Sequence, residues 1–207
     1  MDLFDAADPP AQVLQGLNAE LKRTADWPDF AAQATQGVPG EGPLGAELLF
    51  VGEQPGDEED LAGRPFVGPA GRLFDRAMAE AGVPRDRAYV TNAVKHFKFT
   101  VMGKRRIHQG PTAGEIAHYR PFLMREISTV APRRLVALGA SALLALTGKK
   151  LPVLKSRGTI IAGLSAPPIF ATVHPSYLLR LPDLALQAAE YARFVEDLRA
   201  AWAIDPG

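Results

Sequence analysis

The chain has 207 residues, no cysteine, and equal numbers of basic and acidic side chains, 23 of each. This length is enough for a single domain over residues 1–207, and the lack of cysteine excludes disulfides, thiolate nucleophiles and cysteine-ligated zinc or iron–sulfur centres. No stretch approaches the roughly 18 apolar residues of a membrane span, and the N-terminus has no signal-peptide pattern. We therefore expect a soluble, cytoplasmic protein.

Short apolar runs alternate with helical patterns along the chain. An N-terminal segment, residues 1–45, contains one predicted helix at 12–23 and then an irregular tract that packs on the domain. Strands are predicted at 46–52, 88–94, 134–140 and 168–174, and helices at 69–81, 112–130, 141–146 and 184–202. Apolar strands separated by helices are typical of a parallel sheet covered on both faces. The predicted fold class is α/β, a three-layer α/β/α sandwich around a mainly parallel four-stranded sheet.

Polar side chains follow the predicted strands. Glu53 and Gln54 come directly after the first strand, Asn92 lies at the end of the second, and His174 ends the last. Singly, each has a structural explanation, such as a strand-end cap or a hydrogen-bonded core histidine. Together they predict a ligand site, because ligands of such sheets bind beyond the carboxyl ends of the strands. The first turn lacks both a G-x-G-x-x-G pattern and a Walker lysine, which disfavours dinucleotides and nucleoside triphosphates.

The charges are unevenly distributed. Residues 1–90 hold 16 acidic and 7 basic side chains, whereas residues 91–207 hold 7 acidic and 16 basic. Five basic residues and no acidic one lie between Lys95 and Arg106, directly before His108. A basic stripe of this kind is typical of phosphate binding. The alternative is a solvated loop whose charges are balanced in three dimensions.

The residue types at the predicted site suit a flipped-out nucleobase. An amide can read a base edge, an aromatic ring such as Phe66 can stack on the base, and a histidine can steady a developing anion. A carboxylate can stabilise a sugar that gains oxocarbenium character as its glycosidic bond breaks. For Phe66, a position in the hydrophobic core is the alternative.

Four motifs in this order resemble the UdgX-type members of the uracil-DNA glycosylase superfamily. They are GEQPGDEEDLAGRPFVGPAGRL, YVTNAVKHFKF, GKRRIH and ATVHPSYLLR, and the resemblance spans about residues 34–202. KRRIH is the discriminating motif, because ordinary turnover relatives lack it. The resemblance implies an enzyme that excises uracil from DNA and then stays covalently attached to the abasic site.

The resemblance also implies roles for the residues at the strand ends. Glu53 would stabilise the oxocarbenium-like sugar, and Gln54 would lie beside it near the base. Phe66 would stack on uracil, and Asn92 would read its amide edge, since cytosine presents the opposite donor and acceptor pattern. His174 would hydrogen-bond the leaving uracil.

By the same resemblance, His108 would attack the anomeric carbon after the base has left. Ser176 would contact phosphate, and Arg180 would fill or brace the strand where the base departed. The cations before His108 would hold phosphate and favour its neutral imidazole by like-charge repulsion; they are Lys104, Arg105 and Arg106.

The chain differs from this family at the residues that bind the cofactor. The family typically carries an iron–sulfur cluster bound by three cysteines and the histidine of KHFKF. Ala25, Pro28 and Tyr119 stand at the cysteine positions, and only His96 persists. One imidazole cannot hold a cluster, so we predict no cofactor. An apolar plug would fill the volume instead, formed by Trp27, Phe30 and Tyr119.

Two further departures affect the covalent step. Tyr177 replaces a second serine in HPSYLLR, and the VMG linker before KRRIH is shorter than usual. The alternatives are therefore a turnover glycosylase that uses water, and a noncatalytic module that binds uracil or abasic sites. The predicted partner is single-stranded DNA that contains uracil. We also predict that the protein is a monomer and does not bind membranes.

Overall fold

The computed structural model describes residues 9–23, 27–161 and 167–204. The strands are β1 (Leu48–Gly52), β2 (Ala88–Asn92), β3 (Phe99–Met102), β4 (Arg105–His108), β5 (Arg134–Leu138), β6 (Thr159–Ile160) and β7 (Ile169–Thr172). The helices are α1 (Pro10–Glu20), α2 (Asp57–Ala62), α3 (Pro69–Ala81), α4 (Ala113–Val130), α5 (Ala140–Thr147), α6 (Val153–Ser156), α7 (Pro175–Leu179) and α8 (Leu184–Ala203).

The central sheet has the order β2-β1-β5-β7-β6, with β1, β2, β5 and β7 parallel. This confirms the predicted α/β class but corrects the strand number from four to five. The fifth strand, β6, pairs antiparallel with β7 at the sheet edge. Its two residues are exposed, and a strand of two residues is too short for a hydrophobic pattern to predict.

The four parallel strands are buried on both faces. Within β1, Leu48 and Phe50 join one core cluster, while Leu49 and Val51 join a second. Successive side chains of a strand point to opposite faces, so this alternation means that helices cover both sides. Helices α3, α7 and α8 contribute to the first cluster, and α4 and α5 to the second.

The long helices begin and end close to their predicted bounds. The segment 69–81 is helical as predicted, with Pro69 at the first turn and Gly82 in the left-handed region after it. Thr112 and Glu115 form a capping box at the start of α4, so Thr112 is the cap and not the first helical residue. Helix α1 spans residues 10–20 and not 12–23, and its Leu17 packs against Phe122 of α4.

The basic segment predicted as a loop is a β-hairpin. Strands β3 and β4 pair antiparallel, with Phe99 opposite His108 and Val101 opposite Arg106. Gly103 turns the chain at a φ of 61°, in the region that glycine enters without steric cost. Because side chains alternate along a strand, Arg106 and His108 lie on the same face of the hairpin. In the part of the chain described, none of the helices has the length and apolar character needed to cross a membrane.

Candidate active site

The carboxyl ends of β1, β2 and β7 meet at one cavity of about 370 Å³. The chain continues from β1 to β2 on one side and from β5 to β7 on the other, and open α/β sheets bind ligands beyond the carboxyl ends of the strands at such a reversal. Eight of the residues that the sequence analysis proposed for the site line this cavity together: Glu53, Gln54, Phe66, Asn92, His108, His174, Ser176 and Arg180.

Glu53 and His108 are in direct contact across this cavity. His108 Nε2 lies 3.3 Å from Glu53 Oε1, and the Ser141 hydroxyl donates a hydrogen bond of 2.6 Å to Glu53 Oε2. Burial alone would raise the pKa of the Glu53 carboxyl, but the hydrogen bonds from His108 and Ser141 and the nearby His174 outweigh it and lower that pKa. Glu53 is therefore held as a carboxylate, with each oxygen bound to a different partner.

His174 is oriented by a chain of hydrogen bonds. Its Nδ1 accepts from the backbone N–H of Ser176 at 3.2 Å and lies 2.8 Å from the Ser176 hydroxyl. Arg180 donates to that hydroxyl oxygen at 3.0 Å, which leaves the hydroxyl hydrogen for His174. With Nδ1 accepting, the neutral ring carries its hydrogen on Nε2. Burial lowers the pKa of His174 to about 4, so the ring is neutral at pH 7 and Nε2–H is a donor.

Phe66 and Asn92 also line the cavity. The Phe66 ring centre is 6.2 Å from that of His174. The Phe66 backbone has a φ of 57°, which is a strained conformation for an aromatic residue. Strained conformations of this kind cluster at functional sites. Asn92 is 4% exposed, and none of the hydrogen bonds in the described residues occupies its carboxamide. A Cβ at Gly52 would lie 2.4 Å from Asn92 Oδ1, so glycine there keeps room for the amide.

Gln54 supports the hairpin. Its side-chain amide donates to the carbonyls of Lys98 at 3.2 Å and Gln109 at 3.0 Å, on the two sides of the hairpin base. Both amide hydrogens are used in this way, so the side chain holds the hairpin. Gln54 also lines the cavity, and its predicted place near the base stays a prediction.

Arg106 anchors the hairpin to α2. Its guanidinium binds the carboxylates of Asp57 and Asp60, the latter fully buried, and lies over the rings of Phe97 and Phe99 at 5.4 and 5.0 Å. Two carboxylates compensate the charge of Arg106 in this structure, and its predicted contact with phosphate stays a prediction. Lys104 and Arg105 are exposed at the hairpin tip.

The predicted cofactor region is filled with side chains. Trp27 packs on His96 with ring centres 4.4 Å apart, and Phe30 packs edge-on against Tyr119 at 6.2 Å. His96 Nδ1 is hydrogen-bonded to the Tyr119 hydroxyl, and Nε2 is buried without a partner among the described residues. One free imidazole nitrogen between aromatic rings does not fit an iron–sulfur cluster, which needs four ligands. Ala25 lies outside the described residues, and the absence of a cofactor stays a prediction.

Sequence reasoning assigned no role to Ser141, Asp57 or Asp60. Ser141 follows a strand in the run GAS, which is the one signal that could have drawn attention to it. Asp57 and Asp60 begin α2, whose short acidic stretch resembles an ordinary helix start. Their function depends on contacts with residues 46 to 88 positions away, which only the fold reveals.

With this geometry in place, comparison with known proteins identifies the class. The Uracil DNA glycosylase superfamily matches residues 39–199. The chain is 42% identical over 147 residues to a type-4 uracil-DNA glycosylase of Thermotoga maritima, covering 70% of this chain and 73% of that protein. It is 35% identical over 173 residues to the type-4 uracil-DNA glycosylase of Pyrobaculum aerophilum, covering 80% and 84%, and 32% identical over 169 residues to that of Saccharolobus solfataricus, covering 77% and 74%.

The chain belongs to the uracil-DNA glycosylase superfamily. The relatives above are named as type-4 enzymes, so the narrower UdgX-type assignment stays a proposal.

Proposed function

We propose that this protein is a uracil-DNA glycosylase that releases uracil from DNA and then captures the abasic sugar through His108. The observation that carries the proposal is the 3.3 Å contact between His108 Nε2 and Glu53 Oε1 at the mouth of the cavity. The names of the relatives support the excision step. The capture step rests on the residues of this chain.

In the excision step, the bond between C1′ of the sugar and N1 of uracil breaks, and its electron pair leaves with the base. Asn92 would pair with the uracil N3–H and a carbonyl oxygen, and Phe66 would stack on the ring. The Nε2–H of His174 would donate to the uracil anion, because its Nδ1 is already bound to Ser176. The Glu53 carboxylate would stabilise the cationic sugar.

In the capture step, the lone pair of His108 Nε2 forms a bond to C1′. His108 enters this step with hydrogens on both ring nitrogens, and the Nε2 proton that faces Glu53 passes to the carboxylate first, which frees the lone pair that bonds to C1′. Glu53 then passes that proton to the uracil anion, whose bond to C1′ has already broken. The imidazole then carries C1′ on Nε2 and keeps its hydrogen on Nδ1 until solvent removes it. A histidine fixed by a carboxylate competes well with water, because a held nucleophile has a high effective concentration.

Exposed cations near the cavity can bind the phosphates of the DNA strand. Lys104 and Arg105 at the hairpin tip and Arg180 beside the cavity are exposed, and cations around a site favour the DNA phosphates. We propose single-stranded DNA as the preferred form, since a flipped base then costs no base pairing.

A turnover glycosylase is the second candidate. The Glu53 side chain is 31% exposed, so water can reach the carboxylate and attack the sugar in place of His108. In that case the protein would release both uracil and an abasic strand.

Uracil release and adduct formation can be measured in the same reaction. A single-stranded oligonucleotide with one uracil is mixed with excess protein; free uracil is quantified by chromatography and the adduct on a denaturing gel. His108→Ser should still release uracil but form no adduct, while His118→Ser, at an exposed histidine of α4, should do both. Uracil release without an adduct from the unaltered protein would establish the turnover enzyme, and DNA binding without release a noncatalytic module.

A further inference from the structure

We infer that Ser141 is a positioning residue, which fixes the Glu53 carboxylate so that one oxygen faces His108. The catalytic effect of Ser141 rests on the proposed function, whereas the contacts between Ser141, Glu53 and His108 are observed independently of it. The Ser141 hydroxyl lies 2.6 Å from Oε2, and His108 Nε2 lies 3.3 Å from Oε1.

The position of Ser141 is set by a buried helix. It is the second residue of α5, and the residues that follow, Ala142, Leu143, Ala145 and Leu146, are 6% exposed or less. Close packing of this kind leaves little freedom to shift. The serine hydroxyl therefore acts as a donor held by α5, an element separate from the hairpin that carries His108.

Glu53 needs such a donor because it follows the end of β1 on a side chain with three rotatable bonds. A hydrogen bond to a single oxygen leaves the carboxylate free to turn about its last bond, whereas hydrogen bonds to both oxygens define its plane. Ser141 supplies the bond that does not depend on the hairpin. The plane of the carboxylate is then already set when DNA arrives, as preorganised catalysis requires.

Ser141 also favours the charged form of Glu53. A hydroxyl that donates to a carboxylate stabilises the anion, as does the start of a helix. The other groups that act on Glu53 are His108 from β4 and His174 after β7, with Arg180 acting on His174. Loss of the Ser141 hydroxyl should therefore raise the pKa of Glu53 while the other partners stay in place.

The test compares Ser141→Ala with Ser141→Thr, which keeps a hydroxyl. We expect Ser141→Ala to slow single-turnover uracil release by roughly 10-fold to 100-fold, the usual effect of losing a hydrogen bond to a charged group. Its acid limb in the pH–rate profile should move to higher pH, and Ser141→Thr should restore both rate and profile. In a Glu53→Gln background, Ser141→Ala should have a much smaller effect, because the carboxylate it acts on is gone.

A second measurement does not depend on activity. The pKa of the Glu53 carboxyl, followed by carbon NMR in labelled protein, should be higher in Ser141→Ala than in the unaltered chain. An unchanged Glu53 pKa would overturn the inference, as would equal rate losses with and without the Glu53 carboxylate. If the unaltered protein releases no uracil, the proposed function fails, and the NMR titration still decides the role of Ser141.

Discussion

Replacement of Gly71 by alanine should displace the aromatic wall of the cavity. Gly71 lies in the first turn of α3, where a Cβ would be 1.8 Å from the Phe66 carbonyl oxygen and 2.2 Å from its carbonyl carbon. Real Cβ atoms essentially never approach closer than 3.0 Å, so the Phe66 segment must retreat by about 1 Å. A misplacement of that size can cost on the order of 100-fold in rate, and we expect such a loss in single-turnover uracil release.

The control for Gly71→Ala is Gly16→Ala. Gly16 lies within α1, and a Cβ there meets nothing within 4 Å, so uracil release should be unchanged. Circular dichroism at the assay temperature verifies that both variants are folded. Uracil release at the unaltered rate by folded Gly71→Ala would refute the claim that the strained Phe66 backbone positions a stacking ring.

Three further predictions follow from the hairpin, a buried histidine and the aromatic plug. Arg106→Ala should slow adduct formation about 100-fold and uracil release much less, because Arg106 anchors the hairpin that positions His108. Time courses of adduct and free uracil measure the two rates, and equal losses in both would contradict this prediction. The free energy of unfolding should fall by about 3 kcal/mol for each of His96 and His174 from pH 6.5 to pH 4, because the unfolded chain protonates both, whereas burial lowers the folded pKa of each to about 4. His96→Asn should therefore remove about half of this dependence in denaturant titrations, and an unchanged slope would exclude His96 as a cause. Purified protein should contain no iron, and a visible iron–sulfur absorbance band would overturn that expectation.

Much of the fold could be predicted from the sequence because the parallel strands are continuous apolar runs. Segments such as LLFVG are buried at every position, and hydrophobicity alone marks them. The edge strand β6 and the hairpin carry no such mark, since Thr159 and Ile160 are exposed and the hairpin reads as a charged loop. Their strands form through pairing with neighbouring strands, which short exposed segments do not reveal in advance.

The candidate site was only partly predictable, for a related reason. Residue types at strand ends indicated Glu53, Asn92 and His174, because the edge where parallel strands end is fixed by topology. The partners that orient these groups come from distant segments, as with Ser141 and Glu53, 88 positions apart. The direction of the Arg106 side chain could not be read from its charge, since the same charge suits a phosphate and a pair of carboxylates.

The most direct test of the central claim is the mass of the product. The protein is incubated with a single-stranded oligonucleotide that contains one uracil, denatured, digested with protease and nuclease, and analysed by tandem mass spectrometry. The account predicts a peptide containing His108 with a deoxyribose attached at the imidazole, absent when thymine replaces uracil. Release of uracil with every His108 peptide unmodified would contradict it and establish that water, and not the histidine, takes the sugar.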